Sequence, residues 1–357
     1  MVERDLDQFT TPGKCPNYDV VPLAYDNIGV AACQMNPNRN IDPKNPKKVI
    51  RENLVKMLDL CDQAKIASLQ WPNEECNLKL LVFPEFTLTG MNHVWDINDW
   101  QRIALDIDGE EIAEVGKKAK QLNAYIAFGS HIKEKEFPGH YFNTSMLIDN
   151  EGKLIHRHWK MYRSNAGYEW STTVHDVLDQ FIELYGWNAV WPVARTPIGN
   201  IATYICSEGF APETARAFAF KGAEILCRVI SGGGQEQKFG KYMLQFRADC
   251  ANSLCYGIFA NARNGCTMIV DPFGRILNQA SDCRDVVVYD NIPIGAFRAK
   301  REKPYIRTEV YVPVLEQNPG RYPPNLYSKF GMPKNANEAA QLFTRNARYW
   351  GTWMANR

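Results

Sequence analysis

The sequence predicts an α/β protein in which two mixed β-sheets pack face to face and helices cover each outer surface. Three observations lead there. Strand-like and helix-like segments alternate along most of the 357 residues. Two strand pairs are hairpins, so the sheets are mixed rather than purely parallel. The chain is also long and apolar enough, at 45% hydrophobic and 12% aromatic, to bury a substantial core.

Each element follows from its local pattern. IGVAACQM (28–35) reads as a strand, and KKVIRENLVKMLDLCDQA (47–64) as an amphipathic helix with Val49, Leu54, Met57, Leu58 and Cys61 on one face. After a polar loop, LKLLVFPEF (78–86) is an apolar run suited to a strand covered on both sides. EEIAEVGKKAKQLNA (110–124) is helical and leads into strand YIAFGSHI (125–132). FNTSMLID then turns at Asn150, Glu151 and Gly152 into KLIHRHWK, the first hairpin. Strand NIATYIC (200–206), helix PETARAFAFKGA (212–223), strand EILCRVIS (224–231), helix KYMLQFRADCANSLC (241–255) and strand YGIFANA (256–262) follow. The second hairpin runs from CTMIVD through Pro272, Phe273 and Gly274 into RIL.

From about residue 295 the periodicity dissolves into Pro, Tyr, Asn and Arg. The expected organisation is an N-terminal extension (1–26), one domain (27–294) and a tail (295–357) that wraps the body or a neighbouring subunit.

Composition removes several function classes. Lys and Arg number 41 against 40 Asp and Glu, with no long block of either sign, so neither nucleic acid nor a membrane surface is an expected partner. The first residues are polar and no segment approaches the roughly 20 apolar residues of a membrane span, so a soluble, cytoplasmic protein is expected. The ten cysteines are scattered and read mostly as reduced packing residues. Cys250, Cys255 and Cys266 lie close together, but their spacings match no common zinc pattern, so no metal is expected. SGGGQEQK lacks the Gly-Lys-Ser/Thr ending of a phosphate loop, and no cofactor is expected.

Three strand-like runs end in a reactive side chain: LLVFPE at Glu85, IHRHWK at Lys160 and TYIC at Cys206. Strand tips fix position while leaving a side chain reachable. Singly, each has an ordinary reading, as a solvated acid, a surface lysine and a core thiol. Together their chemistry is complementary. A carboxylate takes the proton of an attacking thiol and passes it to a leaving amine. An ammonium favours the thiolate and stabilises an oxyanion, as does the backbone N–H of Ser207.

The motifs LLVFPEFTLTG, HRHWKMY and YICSEGFAPETAR resemble, in this order, the Glu-Lys-Cys motifs of the nitrilase superfamily of carbon-nitrogen hydrolases. The resemblance extends from about 27 to about 290. It takes in NTSMLIDNEGKLIHRHWK, TPIGNIATYIC, KGAEILCR and ANARNGCTMIVDPFGRIL. It implies a four-layer αββα sandwich, association into homodimers or larger homo-oligomers, and cofactor-free chemistry. In it Glu85 acts as base and then acid, Lys160 stabilises the oxyanion, and Cys206 attacks to form a thioester. Glu169, nine residues after Lys160, is the candidate for the family's second active-site glutamate. Glu213 and Arg216 match structural positions.

CSEGFAPE has the frame of the aliphatic amidases and formamidases, where the stretch after the cysteine lines the pocket mouth; Ser207 and Glu208 are therefore expected there. The expected substrate is a small carboxylic amide. N-carbamoyl amides, nitriles and acyl transfer to an amine are the alternatives, with a non-catalytic binding protein as a third class. The segment from Arg163 to Trp191, with Tyr168, Trp170, Phe181, Tyr185, Trp187 and Trp191, either covers the pocket as a lid or packs on the body or a neighbouring subunit.

Overall fold

The computed structural model describes residues 18–70, 78–163, 169–232, 240–262 and 265–348. The first sheet holds β1 (Ile28–Gln34), β2 (Leu78–Val82), β3 (Leu105–Asp106), β4 (Tyr125–Lys133), β5 (Phe142–Ile148) and β6 (Leu154–Trp159). The second holds β7 (Ala194–Thr196), β8 (Gly199–Ile205), β9 (Ile225–Ile230), β10 (Tyr256–Asn261), β11 (Met268–Val270) and β12 (Ile276–Gln279). The chain then returns to the first sheet as β13 (Val286–Ile292). The strand orders are β13-β1-β2-β4-β5-β6, with β3 beside β4, and β12-β11-β10-β9-β8-β7. In each sheet parallel pairs, β1–β2–β4 and β8–β9–β10, are extended by antiparallel neighbours. Both sheets are mixed, as the two hairpins require.

The apolar strands are covered on both faces, and side-chain alternation sorts their residues between two cores. Ile28, Val30 and Ala32 of β1 meet Ile201, Ile205, Cys227 and Val229 of the other sheet in the central layer. Ala31 and Cys33 face outward against helix α1 (Lys47–Ser68) through Leu54, Met57 and Cys61. Next come α2 (Ile97–Ile103) and α3 (Glu110–Leu122), which adds Val115 and Ala119 to that outer layer. A left-handed Asn123 at φ +50° closes α3.

Beyond α4 (Leu178–Tyr185), the helices α5 (Pro212–Phe220) and α6 (Lys241–Ser253) cover the second sheet, packing Phe218 and Phe246 on Tyr204 and Phe259. Pro212 opens α5 and Glu213 sits in its first turn, where negative charge is favoured. The result is the four-layer αββα sandwich.

Three regions depart from the sequence reading. The apolar run 78–86 stops being a strand at Val82 and turns over the following residues, with Pro84 unable to donate to a ladder. β13 was not anticipated; it is a part-exposed edge strand whose antiparallel partner β1 lies at the other end of the chain. After α7 (Ile294–Lys300), the tail is helical too, with α8 (Thr308–Gln317), α9 (Leu326–Phe330) and α10 (Ala336–Asn346). Leu326, Tyr327 and Phe343 pack with Phe137, Phe142, Trp159 and Phe181 of the body, whereas α8 buries no residue.

Candidate active site

Glu85 is held by the turn after β2. Phe83 N–H donates to Ala127 O (2.8 Å), Gly129 N–H to Pro84 O (3.0 Å) and Thr87 N–H to Gly129 O (2.8 Å), lacing the turn to β4 on both sides of the glutamate. Phe86 takes a left-handed backbone at φ +60°. The fit leaves no room for a side chain beneath it. A Cβ on Gly129 would lie 2.9 Å from Glu85 Cα and 3.2 Å from Val229 Cγ2. Gly129→Ala is therefore expected to shift Glu85, costing about 1–3 kcal/mol of stability and a larger share of activity. Urea melts beside rate measurements check this; a stable variant with unchanged rate contradicts it.

The buried Glu85 carboxylate has three donors. Oε1 accepts from Asn143 Nδ2 (2.7 Å) and from Lys160 Nζ (3.2 Å), and Oε2 accepts from the backbone N–H of Ser231 (3.0 Å), just past β9. Lys160 is the first residue after β6, and its N–H still donates to Asn143 O at 2.9 Å. Its ammonium bridges two carboxylates, reaching Glu169 Oε2 at 3.2 Å as well as Glu85. Glu169 Oε1 is fixed by the N–H of Ser171 (2.9 Å).

Burial works against the charged forms of Lys160 and Glu169. For Lys160 it is outweighed by Glu85 and Glu169, which push the ammonium well above its ordinary range. For Glu169 burial is outweighed by Lys160, and the carboxyl is held down at about 2.

Cys206 is the first residue after β8 and begins a 3-10 turn, Cys206–Phe210, with a left-handed backbone at φ +48°. That conformation is uncommon outside glycine and clusters at functional positions. Cys206 is part-exposed, and its sulfur lies within electrostatic reach of the Glu85 carboxylate and the Lys160 ammonium. Burial, then the Glu85 carboxylate, push the thiol up to about 12, against the pull of Lys160 and Arg228. The resting sulfur is thus a thiol beside a carboxylate that can take its proton. Alkylation of Cys206 by iodoacetamide should keep climbing with pH beyond about 10, where an ordinary thiol near 8.5 has levelled off. A plateau by that pH contradicts the protonated resting state.

The structure thus brings together Glu85 from the turn after β2, Lys160 and Cys206 from just past β6 and β8, and Glu169 from the segment after Lys160. The family model for carbon-nitrogen hydrolases matches residues 29–302. The chain belongs to the carbon-nitrogen hydrolase family. Its relatives include a formamidase of Helicobacter acinonychis, 24% identical over 218 residues covering 61% of this chain and 58% of that one. A formamidase of Bacillus cereus is 28% identical over 189 residues, covering 52% and 50%. The chain therefore spans only about half the length of these relatives.

Similar solved structures carry the nitrilase fold. The C. elegans NitFhit protein has a TM-score of 0.60 at 18% identity, covering 83% of this chain and 66% of that one. An amidase from Nesterenkonia sp. has a TM-score of 0.56 at 16% identity, covering 83% and 98%.

In this member of the carbon-nitrogen hydrolase family Glu208 is not a pocket residue, which corrects the sequence expectation. It is fully buried: Oε1 accepts from the N–H of Met161 (2.7 Å), and Oε2 from the N–H of Ile205 (2.7 Å) and from His158 Nε2 (2.8 Å). One carboxylate therefore ties the residue after Lys160 to the residue before Cys206. Ser207 follows Cys206 in the same turn and is buried.

Sequence reasoning missed His158, Asn143, Ser231 and Arg228. Two of them carried a signal. His158 alternates with Lys160 on one face of β6, and Arg228 is a lone cation in the otherwise apolar β9.

In residues 169–191 the aromatics pack on the body. Trp170 is in the outer core, Phe181 and Tyr185 lie 5.2 Å from the Trp159 ring, and Trp191 stacks on His158 at 5.8 Å. Arg163 and Asp176 form a buried ion pair beneath them. Among the described aromatics of the segment, only Trp187 is largely exposed. Tyr168 and the glycine-rich loop from Gly233 lie outside the described residues. Cys250 and Cys255 are buried at α6, the first against Gly257 and the second donating to Ala223 O at 3.1 Å. Among the described residues no helix is long and apolar enough to cross a membrane.

Proposed function

We propose that this chain is a cysteine amidohydrolase that cleaves a small linear carboxylic amide to the acid and ammonia through a thioester on Cys206. The observation that carries the reading is one buried carboxylate, Glu85, hydrogen-bonded to the Lys160 ammonium and within electrostatic reach of the Cys206 thiol. As sulfur adds to the amide carbon, Glu85 takes the thiol proton. The oxyanion forms beside the Lys160 ammonium and the Ser207 N–H, where preorganised positive charge is most effective. Glu85 then gives its proton to the amide nitrogen, the C–N bond breaks and ammonia leaves. A water molecule, losing a proton to Glu85, adds to the thioester; the carboxylic acid departs and the thiol is restored.

Glu169 keeps Lys160 charged at its far side, and Glu208 with His158 holds the two strand ends in register. The formamidase relatives and the amidase among the structural neighbours support an amide of small acyl group.

Ammonia release from formamide, short aliphatic amides, aromatic amides, N-carbamoyl amino acids and nitriles tests the reading. Release from a small amide that disappears in Cys206→Ala is the expected result. A folded wild-type protein that releases ammonia only from nitriles or carbamoyl compounds, or from none of the panel, overturns it.

A further inference from the structure

Arg228 lies within β9 among Ile225, Leu226, Cys227, Val229 and Ile230, all buried, and is itself fully buried. A cation placed there loses its hydration and needs compensation. Its hydrogen bonds converge on a single atom. Nε (3.0 Å) and Nη2 (2.7 Å) both donate to the carbonyl oxygen of Cys206, while Nη1 has no hydrogen-bond partner among the described residues. Around the guanidinium stand the rings of Tyr204, Phe210, Tyr242 and Phe259, with centroids at 5.7, 6.0, 5.8 and 5.7 Å. Asp249, whose charge also reaches Arg228, is engaged by the Tyr204 hydroxyl at 2.8 Å.

The 3-10 turn is shaped to admit the guanidinium. A Cβ on Gly209 would lie 2.4 Å from Arg228 Cζ and 2.7 Å from both Nε and Nη1, so only a glycine lets the chain lie flat against it. Cys206 in turn has the left-handed backbone, φ +48°, that a non-glycine residue holds only when its surroundings impose it. Relaxing that backbone would swing its carbonyl off the two charge-assisted donors.

We propose that Arg228 is the positioning residue of the nucleophile. Its paired N–H groups grip the Cys206 carbonyl, fix the left-handed backbone there and so turn the thiol to Glu85. Its charge, one residue's reach from the sulfur, also favours the thiolate as it forms. β9 thereby serves both partners of the proton transfer, holding Cys206 through Arg228 and Glu85 through the Ser231 N–H. Lysine cannot replace the grip, because it offers a point charge instead of a planar fork.

This inference rests on the reading of Cys206 as nucleophile, and two variants test it separately from that reading. Arg228→Lys keeps the charge and removes the fork; Gly209→Ala keeps the arginine and pushes it aside. For each, the rate of Cys206 alkylation by iodoacetamide is followed against pH by peptide mass spectrometry. Where an amide is turned over, kcat and KM are measured as well. The expected result is folded protein in which Cys206 alkylation is slowed by about tenfold or more and kcat falls similarly, with KM within about twofold. Unchanged alkylation and kcat in either folded variant overturns the proposal. Failure of both variants to fold also overturns it, making Arg228 a support of the sheet rather than of the nucleophile. If the wild type turns over no amide, the alkylation comparison still decides the role of Arg228.

Discussion

Cys206→Ala is expected to lower ammonia release by about four orders of magnitude or more, the scale on which removing a covalent nucleophile acts. The loss should be confined to chemistry. Cys206 is partly accessible, its backbone is held through the carbonyl by Arg228, and alanine leaves those bonds in place. Stability should therefore change by no more than about 1 kcal/mol. What remains, Lys160 and the turn amides, can still stabilise an oxyanion, so weak residual hydrolysis by water is compatible with the account. A thermal melt and an ammonia assay on the same sample separate the two effects. A loss of only a few fold would mean that another group attacks.

Lys160→Met is expected to be the more damaging change to the fold. It leaves the Glu85 and Glu169 carboxylates buried together without the cation between them, a loss of about 3–5 kcal/mol. Activity should disappear with it. The pH dependence gives this prediction its own signature. In the wild type Glu169 is held at about 2, below its unfolded value, so its contribution is present at neutral pH and is lost only as pH falls towards 2. In the variant the largest influence opposing burial is gone, so the Glu169 carboxyl pKa rises from its wild-type value and protonation relieves the strain in acid. The gap in stability between the two proteins should shrink from pH about 7 to pH about 4, as read from urea midpoints. A gap that stays constant contradicts the network.

The parts of this site that sequence could reveal are those fixed by local pattern. Glu85, Lys160 and Cys206 each close an apolar strand-like run, so both their type and their exposure could be read. Their partners could not: Asn143 is 58 residues from Glu85 and Ser231 is 146 residues away, joined to it only by the packing of sheet on sheet. Glu208 was misplaced for a conformational reason. A 3-10 turn repeats every three residues, so it brings residue 208 back over Ile205 and under the sheet rather than towards the pocket.

The two-sheet sandwich was legible from the alternation of elements. The edge strand β13 was not, because its pairing with β1 joins residues some 250 positions apart in the chain, as the Gln34–Arg284 hydrogen bond shows. α4 was hidden within a segment rich in aromatics, where burial of Phe181 against Trp159 decides the structure.

The most direct test of the central claim is to quench the protein in acid while it is incubated with the small amides of the panel and to weigh the peptide containing Cys206. The account predicts that this peptide gains the mass of the acyl group as a thioester, that hydroxylamine removes it, and that Cys206→Ala shows no adduct. Turnover with the acyl group on another residue, or undiminished turnover by the alanine variant, would contradict it.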